Sequence, residues 1–162
     1  MATDPPPDLV LTPLTGEPRR VDDWVTLFPL ALVALDPYTY ESAWLLEEAG
    51  RILTSFTAAD VRVGWLVTAS KDEARSFLGP WADTLLTFAD PDRAAIKGLG
   101  LSTLPAFVVI DMAGKVPTVA EGWDPVQWRA AVGHLAAILE WSKPAIPGTG
   151  APGPYPGTPA LT

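Results

Sequence analysis

Few residues in this chain are of a type and spacing that could do chemistry. It has no cysteine and one histidine, His134, in 162 residues. Without thiols the chain can form no disulfide, run no thiol redox cycle and offer no thiolate to a metal. A zinc or iron site would rest almost wholly on carboxylates, a donor set those metals seldom use alone. There is no Gly-x-Ser-x-Gly elbow, and one histidine on a helix flank makes no triad. Gly98-x-Gly100 follows a helical stretch rather than a strand, so it is not a phosphate loop. Asp90 and Asp92 read as capping and first-turn charges and lack the ligand ladder of a calcium loop. No cofactor and no metal are expected.

Asp36-Pro37-Tyr38-Thr39 remains, at the start of a predicted helix. A carboxylate there is favoured by the helix dipole and accepts from free backbone N–H groups. The plain reading of Asp36 is a helix cap. A polar contact to a partner is a second, and an acid–base pair with a tyrosine hydroxyl is a third. The third needs a substrate pocket and a shifted pKa, which a sequence does not display. Tyr38, Tyr40 and Trp44 surround the same helix start. Trp44 lies off the apolar face, where an aromatic is either covered by a loop or the tail or buried by another chain.

The elements that must position these residues follow from hydropathy patterning. Leu9–Leu14 reads as a short strand and Thr15-Gly16-Glu17-Pro18 as a turn. Leu30–Leu35 is continuously apolar, as in a strand buried on both faces. From Glu41 to Ala58 a helix places Leu45, Ala49, Ile52 and Phe56 on one face. Val61–Val67 is the next strand, and Ser70 with Glu73 forms a capping box for a short helix. Leu85–Ala89 is a strand, and Asp90-Pro91 should open a helix running to about Leu99. Pro105–Asp111 is a buried strand, turning at Met112–Lys115 into a returning strand at Val116–Ala120. Asp124-Pro125 opens the last helix, with Trp128, Val132, Leu135 and Leu139 facing inward. Strands alternating with helices, with one late hairpin, predict an α/β fold: a central mixed sheet with helices on both faces.

Composition supplies the remaining bounds. A hydrophobic content of 48% supports a real core. Lys and Arg number 11 against 19 Asp and Glu, a net charge of −8. That balance argues against a nucleic-acid partner and against an anionic membrane surface. The longest apolar run is about half of the ~20 residues a membrane helix requires. The opening residues have no basic region followed by an apolar stretch, so a cytoplasmic protein is expected. Residues 1–7 are Pro-rich and expected to be flexible, and 8–142 hold the periodic elements. Residues 143–162 form a Pro/Gly-rich tail that cannot continue a helix. Extended, it reaches roughly 60 Å, enough to wrap back over its own domain.

Four stretches in this order resemble the thioredoxin superfamily, in particular its redoxin branch of peroxiredoxins and TlpA-type thioredoxins. Leu9–Val21 resembles the family's opening strand and Gly turn. Ala89-Asp90-Pro91-Asp92 followed by Ile96–Leu101 resembles its "DPD…YGV" segment. Leu104–Val116 resembles its "TPTTFLIDxxGxV" strand and turn, and Glu121-Gly122-Trp123 with the last helix resembles its closing loop. The resemblance spans about residues 8–141. It implies a Cys-x-x-Cys after the central strand, where this chain has Asp36-Pro37-Tyr38-Thr39. Neither a carboxylate nor a threonine hydroxyl can replace a redox thiolate. Thiol exchange and peroxidase activity, implied by the family, are therefore not expected.

The resemblance further implies a cis Pro105 and a groove that holds an extended peptide. Here that groove would comprise Asp36, Pro37, Tyr38, Thr39, Leu104, Pro105, Gly122 and Trp123, with Trp44 at its rim. The resulting expectation is a non-catalytic module that binds a protein or peptide by β-augmentation. Alternatives are a structural subunit or homodimer docking through aromatics and tail, and an acid–base enzyme using Asp36. The tail itself could fill the groove.

Overall fold

In a computed structural model that describes residues 2–161, the elements follow in the order β1 Val10–Pro13, β2 Arg19–Arg20, α1 Val21–Trp24, β3 Leu30–Leu35, α2 Tyr40–Thr54, β4 Arg62–Val67, α3 Lys71–Leu78, α4 Trp81–Thr84, β5 Leu86–Ala89, α5 Ala94–Gly98, β6 Thr103–Leu104, β7 Ala106–Ile110, β8 Thr118–Glu121, α6 Pro125–Leu139 and β9 Thr158–Pro159. Seven strands form one mixed sheet in the order β2-β1-β5-β4-β3-β7-β8. β3, β4 and β5 run parallel, β7 pairs antiparallel with β3, and β8 pairs antiparallel with β7. The remaining strands, β6 and β9, pair antiparallel in a small sheet of their own.

Alternation along the strands divides the interior in two. Ala31, Val33 and Leu35 of β3, with Trp65 of β4 and Phe107 of β7, face α2 and α6. There they meet Leu45, Ala49 and Ile52 of α2 and Trp128, Val132 and Leu135 of α6. Leu30, Leu32 and Ala34, with Val108 and Ile110, face the opposite layer of Val21, Trp24, Ile96 and Leu99. Every residue of β3 is buried, as the unbroken apolar run requires.

Local signals set the helix boundaries. Ser70 accepts from the Glu73 N–H and donates to its carboxylate, closing the capping box of α3. Asp124 accepts from the Val126 N–H at the start of α6, with Pro125 in the first turn. The expected start of α5 needs correction. It begins at Ala94, not at Asp90-Pro91, because the Asp90 carboxylate reaches over the turn to the N–H groups of Ala95 and Ile96. That leaves Arg93 in the left-handed region at φ 61.

Residues 3 and 4 are tied to the domain by specific bonds. The Thr3 N–H donates to the Leu99 carbonyl, and Asp4 accepts from the Val116 N–H and pairs with Lys115. Backbone pairing and one ion pair thus hold a Pro-rich stretch that composition alone would leave loose.

Gly64 in β4 marks the tightest approach in the sheet. A Cβ built there would lie 2.1 Å from the Leu86 carbonyl oxygen of β5. Since backbone on both sides cannot yield cheaply, Gly64→Ala should cost about 1–3 kcal/mol. Urea unfolding checks this as a lower midpoint at unchanged slope.

Candidate functional site

β3 ends at Leu35 and hands the chain to Asp36, which sits at the start of α2. Asp36 is 7% exposed, so its carboxylate needs partners. One oxygen accepts from the Tyr38 N–H at 3.0 Å, which closes the turn before α2; the helix cap expected of Asp36 is not formed, because α2 begins at Tyr40 with Thr39 at its N-cap position. The other meets the Arg93 guanidinium at 3.1 Å. The Thr39 hydroxyl bonds the Asp36 carbonyl and lies 2.7 Å from the Ser42 hydroxyl. Both carboxylate oxygens are thereby committed to holding structure. This weighs against Asp36 as an acid–base group.

Arg93 joins this helix start to the C-terminal tail. Its second terminal nitrogen donates to the Ala160 carbonyl. The left-handed backbone at Arg93 lets one guanidinium bridge Asp36 and the carbonyl of residue 160.

The tail lies in the groove. From α6 it crosses α2, where Arg51 donates to the Ala145 carbonyl and Glu48 accepts from the Gly148 N–H at 2.7 Å. Arg129 donates to the Ile146 carbonyl at 2.7 Å. Trp123 and Tyr155 then exchange both backbone hydrogen bonds at 2.9 Å, and the Trp123 indole donates to the Pro152 carbonyl. The Tyr155 hydroxyl donates to the Glu41 carbonyl of α2. Leu104 pairs with Thr158 and Thr103 with Pro159, immediately before the cis Leu104–Pro105 bond. Finally the Ala160 N–H donates to the Ser102 carbonyl at 3.0 Å. Glu121 supports the receiving loop by accepting from the N–H groups of Ser102 and Thr103.

Close contact explains two glycines along this path. Gly157 has φ +86, and a Cβ on it would fall 2.4 Å from the Leu104 carbonyl oxygen. Gly122 has φ +74, and its Cβ would fall 2.7 Å from the Pro156 carbonyl oxygen. Each is fixed both by a conformation that other residues rarely adopt and by the approach of the opposing backbone. A cavity of about 120 Å³ remains beneath the tail, between Thr39, Glu41, Leu104, Pro105 and Tyr155.

The structure gathers some of the predicted site residues and separates others. Asp36, Thr39, Leu104, Pro105, Gly122 and Trp123 cluster around the tail. Trp123 and Leu104 are fully covered, so the groove walls are core rather than open surface. Pro37 and Tyr38 turn to the other side of the helix start, beside Asp72, Glu73, Ser76 and Phe77. There the Tyr38 hydroxyl donates to Glu73 at 2.5 Å, a bond that raises the Tyr38 pKa. Trp44, expected at the rim, stands 61% exposed on the outer flank of α2, and no tail residue covers it. Sequence reasoning missed Arg93 and Tyr155. Tyr155 did carry a signal, as the one aromatic in a Pro/Gly tail.

A larger cleft of about 490 Å³ lies elsewhere, between β1, β5 and the start of α3. Burial pushes the pKa of its Asp90 up, although backbone N–H bonds from Ala95 and Ile96 pull the other way. Those same bonds commit that carboxylate to capping α5. Among the described residues no group of three or more His, Asp or Glu is placed to hold a metal.

No protein-family model matches the chain. A methionyl-tRNA formyltransferase from Burkholderia ambifaria is 35% identical over 98 residues, 60% of this chain. The match spans 29% of that relative's own length. Solved structures give a consistent picture. A candidate thiol:disulfide interchange protein, DsbE, from Chlorobium tepidum superposes with TM-score 0.69 at 21% identity, over 86% of this chain and 98% of that one. The bacterioferritin comigratory protein of Xanthomonas campestris, described for alkyl peroxide reduction, gives 0.62 at 14% identity over 85% and 92%. A hypothetical protein from Sinorhizobium meliloti 1021 gives 0.67 at 11% identity over 99% and 94%. The likeness shows the fold, which is thioredoxin-like with redoxin neighbours, and no cysteine occupies the position where such a fold carries its thiols.

Burial raises the Tyr155 pKa above its ordinary 10.0, with the nearby Glu41 charge adding to the effect. The docked tail therefore prefers a neutral phenol. Its contribution is complete below pH 10 and is lost as pH rises through the higher docked value. Tail docking should weaken about tenfold per pH unit above 10. Limited proteolysis within residues 143–162 across pH 9–12 measures this, and Tyr155→Phe should remove the alkaline dependence.

Proposed function

We propose that this thioredoxin-like chain, having no thiol, acts as a non-covalent peptide-binding module through the groove between Leu104, Gly122, Trp123 and the start of α2. The observation that carries this reading is the antiparallel pairing of Thr103–Leu104 with Thr158–Pro159. An extended segment lies where β-augmentation would seat a partner strand, held by main-chain bonds that any peptide can make. The tail then acts as a resident occupant that a partner must displace. Affinity is reduced by the fraction of time the tail is docked. Recognition needs no bond-forming step, in keeping with the commitment of Asp36 to a turn bond and an ion pair.

Formyl transfer is not adopted, because the matching stretch is under a third of that enzyme. The site is proposed to need no cofactor. A protein partner agrees better with the net charge of −8 than a nucleic acid or an anionic membrane would. No helix among the described residues is long and apolar enough to cross a membrane.

One observation favours a second reading. Tyr40 and Trp44 are 84% and 61% exposed and lie one turn apart on α2, a small aromatic face suited to docking into an assembly or a second copy.

The test uses the full chain with Gly157→Ala, which should unseat the tail and leave the groove walls unchanged. A random peptide library is panned against this variant and counter-selected on the unsubstituted chain. Binders that compete with one another and with a synthetic 143–162 peptide are expected. Absence of competing binders would contradict the groove reading. Binders that ignore the tail peptide and are lost in Trp44→Ala would assign binding to the α2 face instead.

A further inference from the structure

The way the tail is held carries information about what else the groove accepts. We infer that the groove selects segments of the pattern Tyr-x-Gly followed by an extended strand, and that its partner proteins present such a segment in place of Tyr155-Pro156-Gly157. This inference rests on the peptide-binding reading and specifies its ligand class.

The tyrosine requirement comes from three contacts at one position. Tyr155 exchanges both backbone bonds with Trp123, which fixes the register of the incoming chain. Its ring packs partly buried against the core on the α2 and α6 side. Its hydroxyl donates to the Glu41 carbonyl at 2.9 Å. A phenylalanine would keep the packing and lose that bond; an alanine would lose both.

The glycine requirement is steric and comes from backbone. At Gly157 the chain must pass under the Leu104 carbonyl, with no room for a Cβ, in a left-handed conformation at φ +86. The opposing oxygen belongs to the main chain and cannot swing aside. The Tyr-x-Gly spacing is therefore set by the distance between the Trp123 backbone and Leu104, both parts of the groove wall. Beyond the glycine the groove holds main chain and buries the small Ala160 side chain. Leu104 pairs with residue 158, and Arg93 reaches the carbonyl of residue 160. Position 153, two residues before the tyrosine, is less demanding. Gly153 is exposed, and a Cβ there would meet nothing within 4 Å.

The experiment uses the full-length Gly157→Ala chain as host, since its own tail is unseated while every groove residue is retained. Fluorescein-labelled peptides spanning residues 150–162 are titrated by anisotropy. The natural sequence should bind, and a Gly153→Ala peptide should bind within about twofold of it. Gly157→Ala and Tyr155→Ala peptides should each bind at least about tenfold more weakly, or about 1.4 kcal/mol. A Tyr155→Phe peptide should fall between. Circular dichroism and urea unfolding establish that the host is folded. A full-length Tyr155→Ala chain serves as a second host, for which the same ranking is expected.

Equal binding of the natural and Gly157→Ala peptides in both hosts would overturn the inference. So would library-selected groove binders lacking Tyr-x-Gly, although these would leave the peptide-binding reading standing. No binding of any peptide by either folded host would remove both.

Discussion

Everything distinctive about this molecule depends on one constraint of backbone chemistry. The loop from Ser102 to Leu104 and the turn at Gly122–Trp123 bring main-chain N–H and C=O groups to the end of the sheet beside α2. Such groups are costly to bury unpaired and hazardous to leave as an open edge. In this chain the last residues satisfy them. Trp123 pairs with Tyr155, Leu104 with Thr158, and the Ser102 carbonyl with the Ala160 N–H. The tail has no helix and almost no sheet of its own, so its order comes from these bonds and from the side chains that reach for its carbonyls.

Replacement of the thiols fits the same picture. A thiolate at a helix N-terminus is stabilised by the dipole and by its reactivity becomes an attacking group. A carboxylate at that place keeps the negative charge and cannot exchange disulfides. Asp36 instead closes the turn before α2 and holds Arg93, whose other arm binds the tail. The position that would carry out covalent chemistry in a redox protein here helps fix an occupant non-covalently. Glu48, Arg51 and Arg129 extend that grip to residues 145–148.

Much of the fold was legible because its signals are local and repeated. The unbroken run Leu30–Leu35, the Ser70–Glu73 capping box and the Asp124-Pro125 helix start each require only near neighbours in sequence. Four stretches in family order then gave the topology. The site was legible in part. Asp36, Leu104, Pro105, Gly122 and Trp123 do converge, but as the walls of a filled groove. Trp44 and Tyr38 lie near them in sequence, but helix geometry turns Trp44 outward and the Tyr38 hydroxyl is drawn to Glu73 on α3. Arg93 was invisible because its role depends on a left-handed backbone created when Asp90 caps α5 from a distance. The seating of the tail was equally hidden. Proline and glycine content indicates an extended chain and its reach, but its register depends on Gly157 passing beneath one particular carbonyl.

Residue-resolved amide hydrogen exchange on the full chain tests the central claim most directly. If the tail fills the groove, the amides of Tyr155 and Ala160 exchange far more slowly than in a free peptide of the same sequence. They also rise together with that of Trp123 when Gly157→Ala unseats the tail. Exchange of Tyr155 and Ala160 at free-peptide rates, with Trp123 unaffected by the substitution, would contradict the account.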